Sequence, residues 1–269
     1  MRIDLAAMVR RAGKVRRSEA VIRPIKPAPT LATDLFHSAH SPMLALWTEA
    51  LPLIVAEYER SLAAMTQDSP ADIGSLLTRV DDRFDTLALS IKVRLRQWAM
   101  RAEAGHRRKW IANVFAAINI DLSTMLGPED ARTSLEATIE RNVSLVKSVS
   151  DEIRSRISDA VFRGLAQRKP SRELAKELSE ATGMGRARSL RIASDQNSKL
   201  AATLNEERAM QVGMEFYEWV HSGKSHPRQE HKARDGNRYR YGEPAGDMPG
   251  QLPFCGCTAR AVLSLDGDF

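Results

Sequence analysis

At 269 residues with 43% hydrophobic, 28% charged and only 6% aromatic side chains, the chain can bury a core and leans toward packed helices rather than sheet. A net charge of +6 suits a polyanionic neighbour such as DNA without requiring one. No apolar run approaches the roughly 20 residues that span a bilayer, no signal-peptide core follows the basic N-terminus, and two cysteines cannot build a disulfide-dense scaffold, so a soluble protein made in the cytoplasm with reduced thiols is expected.

Residues 1 to 30 carry Arg2, Arg10, Arg11, Lys14, Arg16, Arg17, Arg23 and Lys26 against only Asp4 and Glu19, and end in Pro24, Pro27 and Pro29. This composition predicts a basic arm and an extended linker, either a tether in which Arg10, Arg11, Arg16 and Arg17 touch DNA or a partner, or a solvated tail. Ser41-Pro42 is a helix start, because proline at the first helical position loses no needed hydrogen bond. Leu44, Trp47, Leu51, Ile54, Tyr58, Leu62 and Met65 follow at helical spacing, and Pro52 should kink or divide that helix. A second start at Ser69-Pro70 opens a stripe from Ile73 to Trp98, and the two elements should pair as a hairpin.

Gly105 and the cluster His106 to Lys109 are expected to interrupt this stripe before Trp110, Val114, Ile118 and Leu122 resume it, and Gly127-Pro128 should end it. Further helices carry Leu135 to Val146 and Ile153 to Leu165, with a break near Ser150. A short helix capped at Pro170-Ser171 should end at Gly183 and Gly185, and a long one from Arg186 to Gln211 should stop at Gly213. Beyond Gly213 the period shortens to two in Phe216 to Val220, Asn237 to Tyr241 and Thr258 to Leu265, which suits three short strands joined by Gly- and Pro-rich loops. The fold class is mainly α: an elongated helical body with a small α+β C-terminal module of short antiparallel strands and long loops. Its divisions are expected at 1–30, 31–130, 131–213 and 214–269.

Chemistry concentrates in that last module. Both cysteines, Cys255 and Cys257, stand one residue apart, and His221, His226 and His231 lie shortly before them. Thiolate and imidazole are the donors zinc prefers, and a structural site needs four, so His231, Cys255 and Cys257 with His226 or His221 form a candidate set for a structural zinc. Cys-x-Cys places side chains on opposite sides of an extended chain unless a turn intervenes, which Gly256 would permit. The alternative makes both cysteines small buried residues and His231 a hydrogen-bonded loop residue. No HExxH pair, Gly-x-Ser-x-Gly turn or phosphate-cradling glycine loop occurs, so no catalytic residues are assigned and no enzyme is expected.

The order Ile192 to Gln196 on a long helix, Gly213, an aromatic strand ending at Trp219, then Arg228, His231, Asp235-Gly236, Pro253 and Cys255-Gly256-Cys257 resembles the phage Mu F-like minor head protein family. Gln196, Trp219, Arg228, Asp235 and Gly236 are the motif positions, and the helices over 131–213 would be the helical part of that domain. The family usually reads Cys-Arg-Cys where this chain has Gly256. The resemblance implies a minor capsid protein of a tailed phage or prophage. Such a protein acts in head morphogenesis with the portal protein and other head proteins, in the host cytoplasm and then in the virion head, with contact to packaged double-stranded DNA and none to a membrane. The competing reading is a DNA-binding or metal-dependent DNA-processing factor.

Overall fold

The computed structural model describes residues 3–13, 17–64, 69–243 and 246–265, so Arg16 and Met65 lie outside the described residues. The protein is mainly α, with 70% of the described residues helical and a small four-stranded antiparallel sheet, as expected. In chain order come α1 (Leu5–Ala12), β1 (Glu19–Val21), α2 (Pro29–Leu35), a π-helical turn (Phe36–His40), α3 (Ser41–Ala64) and α4 (Ser69–Ile118). A 3-10 turn (Pro128–Ala131) leads into α5 (Arg132–Gln167) and α6 (Ser171–Gln211). The chain then runs through β2 (Phe216–Val220), α7 (Gln229–Ala233), β3 (Arg238–Arg240) and β4 (Thr258–Ser264). Among the described residues, no helix is long and apolar enough to cross a membrane.

The chain gathers into two compact units, neither continuous in sequence. One unites residues 1–31, 99–138 and 194–269, and the other 32–98 and 139–193. These divisions differ from those drawn along the sequence, because the long helices α4, α5 and α6 each contribute to both units.

The helical unit, residues 32–98 and 139–193, buries Trp47, Ile54, Tyr58, Ile73, Leu77, Val80, Ile91, Leu95, Ile153, Ile157 and Val161, largely the stripes read from helical spacing. Trp47 Nε1 donates to Ser150 Oγ at 2.8 Å and Tyr58 Oη donates to the Lys169 carbonyl at 2.7 Å, so the polar tips of these buried rings are satisfied. Several expected breaks do not occur. α3 begins at Ser41 as expected, behind α2 and the π-helical turn, but it runs through Pro52, α5 through Ser150, and α6 through Gly183 and Gly185. In α6 the close approach of α5 explains one of these glycines: a Cβ on Gly185 would lie 2.5 Å from Ile153 Cδ1. Gly183 has nothing within 4 Å of the same position.

The two glycines therefore separate packing from propensity. Gly183→Ala should raise the stability by about 0.5–1 kcal/mol through helix propensity. Gly185→Ala should lower it by about 1–2 kcal/mol, because the overpacking penalty outweighs the same gain. Paired denaturant titrations check this, and an equal gain from both would refute the close contact.

The mixed unit, residues 1–31, 99–138 and 194–269, builds its core on the sheet, whose strand order is β1-β4-β2-β3. β2 and β4 pair from Phe216 with Val262 to Val220 with Thr258, and β3 flanks β2 through Tyr217 with Tyr239. The three strands expected after Gly213 are present, and Gly213 ends α6 with φ 79° as a left-handed stop. The described residues among 1 to 30 do not form the expected basic arm. Asp4 caps α1 by accepting from the Ala7 amide at 2.8 Å, Gly13 closes it with φ 63°, and Leu5 and Val9 are buried. β1 then adds to the sheet edge, Ala20 opposite Leu263, and buries Ala20 and then Ile22. Apolar spacing outweighs the surrounding charge here, since Ile3, Leu5, Val9, Ile22 and Ile25 all enter one core with Trp110, Val114, Tyr217 and Trp219.

α4 crosses Gly105 and the basic cluster without a break, and His106 in that cluster is buried. His106 Nε2 lies 3.1 Å from Asn205 Oδ1, and Asn205 grips the extended segment at Ile25 by accepting from its amide (3.3 Å) and donating to its carbonyl (3.0 Å). Burial, with repulsion from Arg208, lowers the His106 pKa from 6.5 to about 4, while the bond to Asn205 opposes this. In the helical unit, burial lowers His40 to about 4 as well. A histidine whose folded pKa is depressed binds its proton more tightly when unfolded. Its stabilising effect is thus complete above pH 6.5 and is lost as pH falls toward about 4. His106→Gln should flatten the fall of unfolding free energy over that window, measured by denaturant titration at several pH values. An unchanged slope would show that His106 does not titrate with unfolding.

Candidate metal centre

The site is built from β2, α7 and the turn that carries both cysteines. Trp219, buried on β2, packs edge-on against the His231 ring with centroids 5.0 Å apart, and the Arg234 guanidinium lies 5.0 Å from the Trp219 ring centroid. His231 is carried by the short helix α7 and is buried. Its Nδ1 lies 3.4 Å from Cys255 Sγ and 3.7 Å from Cys257 Sγ, and both thiols are free and buried. The donor atoms of His231, Cys255 and Cys257 all fall within 4.8 Å of one another.

The two cysteines meet one histidine because the chain bends just before them. Phe254 adopts φ 60°, whereas Gly256, where the turn was expected, is not among the glycines with positive φ. Three side chains hold the bend. Asp195 Oδ1 accepts from the Phe254 amide at 2.6 Å, Arg228 Nη2 donates to the Pro253 carbonyl at 2.9 Å, and Lys224 Nζ donates to the Phe254 carbonyl at 2.7 Å. Gly250, φ 85°, brings the loop against α6, where a Cβ would lie 2.7 Å from Ala202 Cβ. Gly256 matters for space, since a Cβ there would meet Lys224 Cε at 2.9 Å and Ser222 Cβ at 3.0 Å.

The motif positions thus acquire physical roles. Buried Gln196 donates to Asp195 Oδ2 at 3.1 Å, steadying the carboxylate that holds the Phe254 amide. Asp235 Oδ1 accepts from the His221 amide at 2.8 Å, and the Gly236 amide, at φ 77°, donates to the Trp219 carbonyl at 2.8 Å.

His226 does not join the set: it is exposed and lies outside the three-residue group, and His221 is outside it too, its Nδ1 accepting from the Gly223 amide at 3.1 Å. Asp247 takes the remaining face of His231, with Oδ2 3.3 Å from Nε2, at ion-pair distance though not aligned as a hydrogen bond. Its Oδ1 accepts from Arg234 Nη1 at 2.6 Å. Asp247 was not singled out from the sequence, where it sits unmarked in a loop of glycines and prolines.

Backbone amides of Gly250 and Cys257 point at Cys255 Sγ, and that of Ser222 at Cys257 Sγ. Hydrogen bonding from the Cys257 thiol, with these amides, outweighs burial and holds the Cys255 thiol below its ordinary pKa. The shared proton and burial push Cys257 up. Arg10, Arg11 and Arg17 are exposed on or beside α1 and β1, and Arg10 Nη1 reaches the Leu265 carbonyl at 3.5 Å.

This arrangement of α6, β2, α7 and the cysteine turn lies within residues 151–260, and those residues match the family described as Phage Mu protein F like protein. Residues 151–260 are similar to that family. The Mu F-like match covers less than half of the chain, and it includes every residue of the cluster. An uncharacterized protein of Haemophilus influenzae strain KW20 is 28% identical over 166 residues, 61% of this chain and 37% of that protein. The chain therefore spans well under half the length of that curated relative. No solved structure matches the chain.

Proposed function

We propose that the chain is a minor head protein of a tailed phage or prophage, acting in head morphogenesis beside the portal protein and in contact with packaged double-stranded DNA. The observation that carries this reading is the Mu F-like match over 151–260, which takes in Gln196, Trp219, Arg228, Asp235 and Gly236 around one buried cluster. Assembly would take place in the host cytoplasm and the product would remain in the virion head. The role is one of architecture rather than catalysis.

Contact with DNA is supported by the charge of +6 and by a cavity of about 230 Å³ in the mixed unit, bordered by the exposed cations Lys26, Arg101, Arg108 and Lys109. Phosphates bound there would release counterions, so binding should weaken steeply with salt. Arg10, Arg11 and Arg17 would add to this from a folded surface instead of a tether.

The deciding experiment is mass spectrometry of purified heads from an induced lysogen carrying a tagged copy of the gene. Recovery of the chain with portal protein is the expected result. Heads that contain portal and major capsid protein but lack this chain would overturn the reading. DNA incubated with the pure protein and divalent metal should stay intact, and cleavage would favour a processing factor instead.

A further inference from the structure

We infer that His231, Cys255 and Cys257 hold a zinc ion that pins the cysteine turn to α7 and to the sheet. The inference goes beyond the proposed place in the phage head and does not depend on it.

The donor set is the first argument. Two sulfurs and one imidazole nitrogen are what zinc prefers, and all three are buried together with no disulfide between the thiols. Distance is the second. With Zn–S near 2.3 Å and Zn–N near 2.05 Å at tetrahedral angles, nitrogen and sulfur should stand about 3.6 Å apart. The two observed separations, 3.4 and 3.7 Å, fall on either side of that value.

The surroundings are the third argument. A metal-bound histidine turns its second nitrogen into a strong donor, and a carboxylate oriented toward that nitrogen fixes ring and tautomer. Asp247 stands there, its Oδ2 buried and lacking any aligned donor, as a ring rotated slightly onto an ion would supply. Simple packing of small buried residues requires none of these features.

Among the described residues, no fourth histidine, cysteine or carboxylate joins the group. A water would have to complete the tetrahedron, and the small cavity of about 20 Å³ that borders both cysteines is not lined by His231. The three ligands are 3%, 4% and 4% exposed, so the ion has no open face for a substrate, and its effect is to cross-link loops.

The test uses the full chain, expressed in zinc-supplemented medium and purified without chelator. Elemental analysis should find about one zinc per chain, and Cys255→Ser or Cys257→Ser should leave less than about a tenth of that. Because either variant could misfold, the decisive measurement uses the natural chain reconstituted with cobalt. It should show the visible bands of a tetrahedral site and the near-ultraviolet thiolate-to-metal charge-transfer band. Asp247→Asn, which keeps all three donors, should still bind but yield its metal at about 10–100-fold lower chelator concentration. A helical, soluble natural chain with no zinc and no cobalt bands overturns the proposal. So does undiminished metal in the cysteine variants, since the ion would then sit elsewhere. Absence of the chain from phage heads would leave all these results unchanged.

Discussion

Glu103→Ala should destabilise the mixed unit by about 3–5 kcal/mol, because it strands a buried guanidinium. Glu103 on α4 and Arg208 on α6 form an ion pair whose side chains are 2% and 1% exposed. Glu103 Oε1 also accepts from Arg107 Nε at 3.0 Å, and Arg107 in turn donates to the Leu126 carbonyl at 3.3 Å, so one carboxylate serves two arginines. Arg208 Nε and Nη1 have no partner of their own, which leaves Glu103 as its main compensation. Burial accordingly lowers the Arg208 pKa, with Glu103 opposing it. The double replacement Glu103→Leu with Arg208→Met should recover most of the loss, since the cost lies in the unpaired charge rather than in the missing attraction. Chemical denaturation of the two single variants and the double variant measures this. A loss below about 1 kcal/mol in Glu103→Ala would mean that water reaches the pair.

The second large effect is expected at Trp219. Truncation to alanine removes a side chain that is 1% exposed and fills the space between His231, Arg234 and Tyr239, so a cost of about 3–5 kcal/mol follows. Trp219→Phe keeps a ring against His231 and should cost less than half as much. Hydrogen exchange adds location to magnitude: amides of β2 and β4 should lose protection while those of Ile54 and Val80, in the helical unit, keep theirs. Uniform loss across both units would contradict a local core.

The terminal module was readable from sequence because its signals are local. Phe216 to Val220 alternates and is preceded by the left-handed Gly213, so β2 was located to the residue. His231, Cys255 and Cys257 stood out by residue type, and they do converge. His226 was included by proximity in sequence alone, whereas α7 turns only His231 inward. Asp247 could not be seen, because a carboxylate in a loop announces no partner until the loop is folded. The helix breaks failed for another reason. Gly105, Gly183, Gly185 and Pro52 each cost a helix some stability, but in helices of 24, 50 and 41 residues packed along their length that cost is outweighed. At residues 1 to 30 a run of charge masked the spacing of Leu5 and Val9 and the cap at Asp4, and a three-residue strand among arginines and prolines has almost no signature of its own.

That short strand has a consequence for biosynthesis. β1 lies at the sheet edge against β4, Glu19 opposite Ser264, so two partners separated by most of the chain must meet before the sheet is whole. While the ribosome is still translating, Ile3, Leu5, Val9 and Ile22 have no completed surface to cover, and closing so long a loop is slow. A fragment of residues 151–265, which keeps β4 whole but lacks β1, would inherit the same defect permanently, with the β4 edge bare and open to pairing with other molecules.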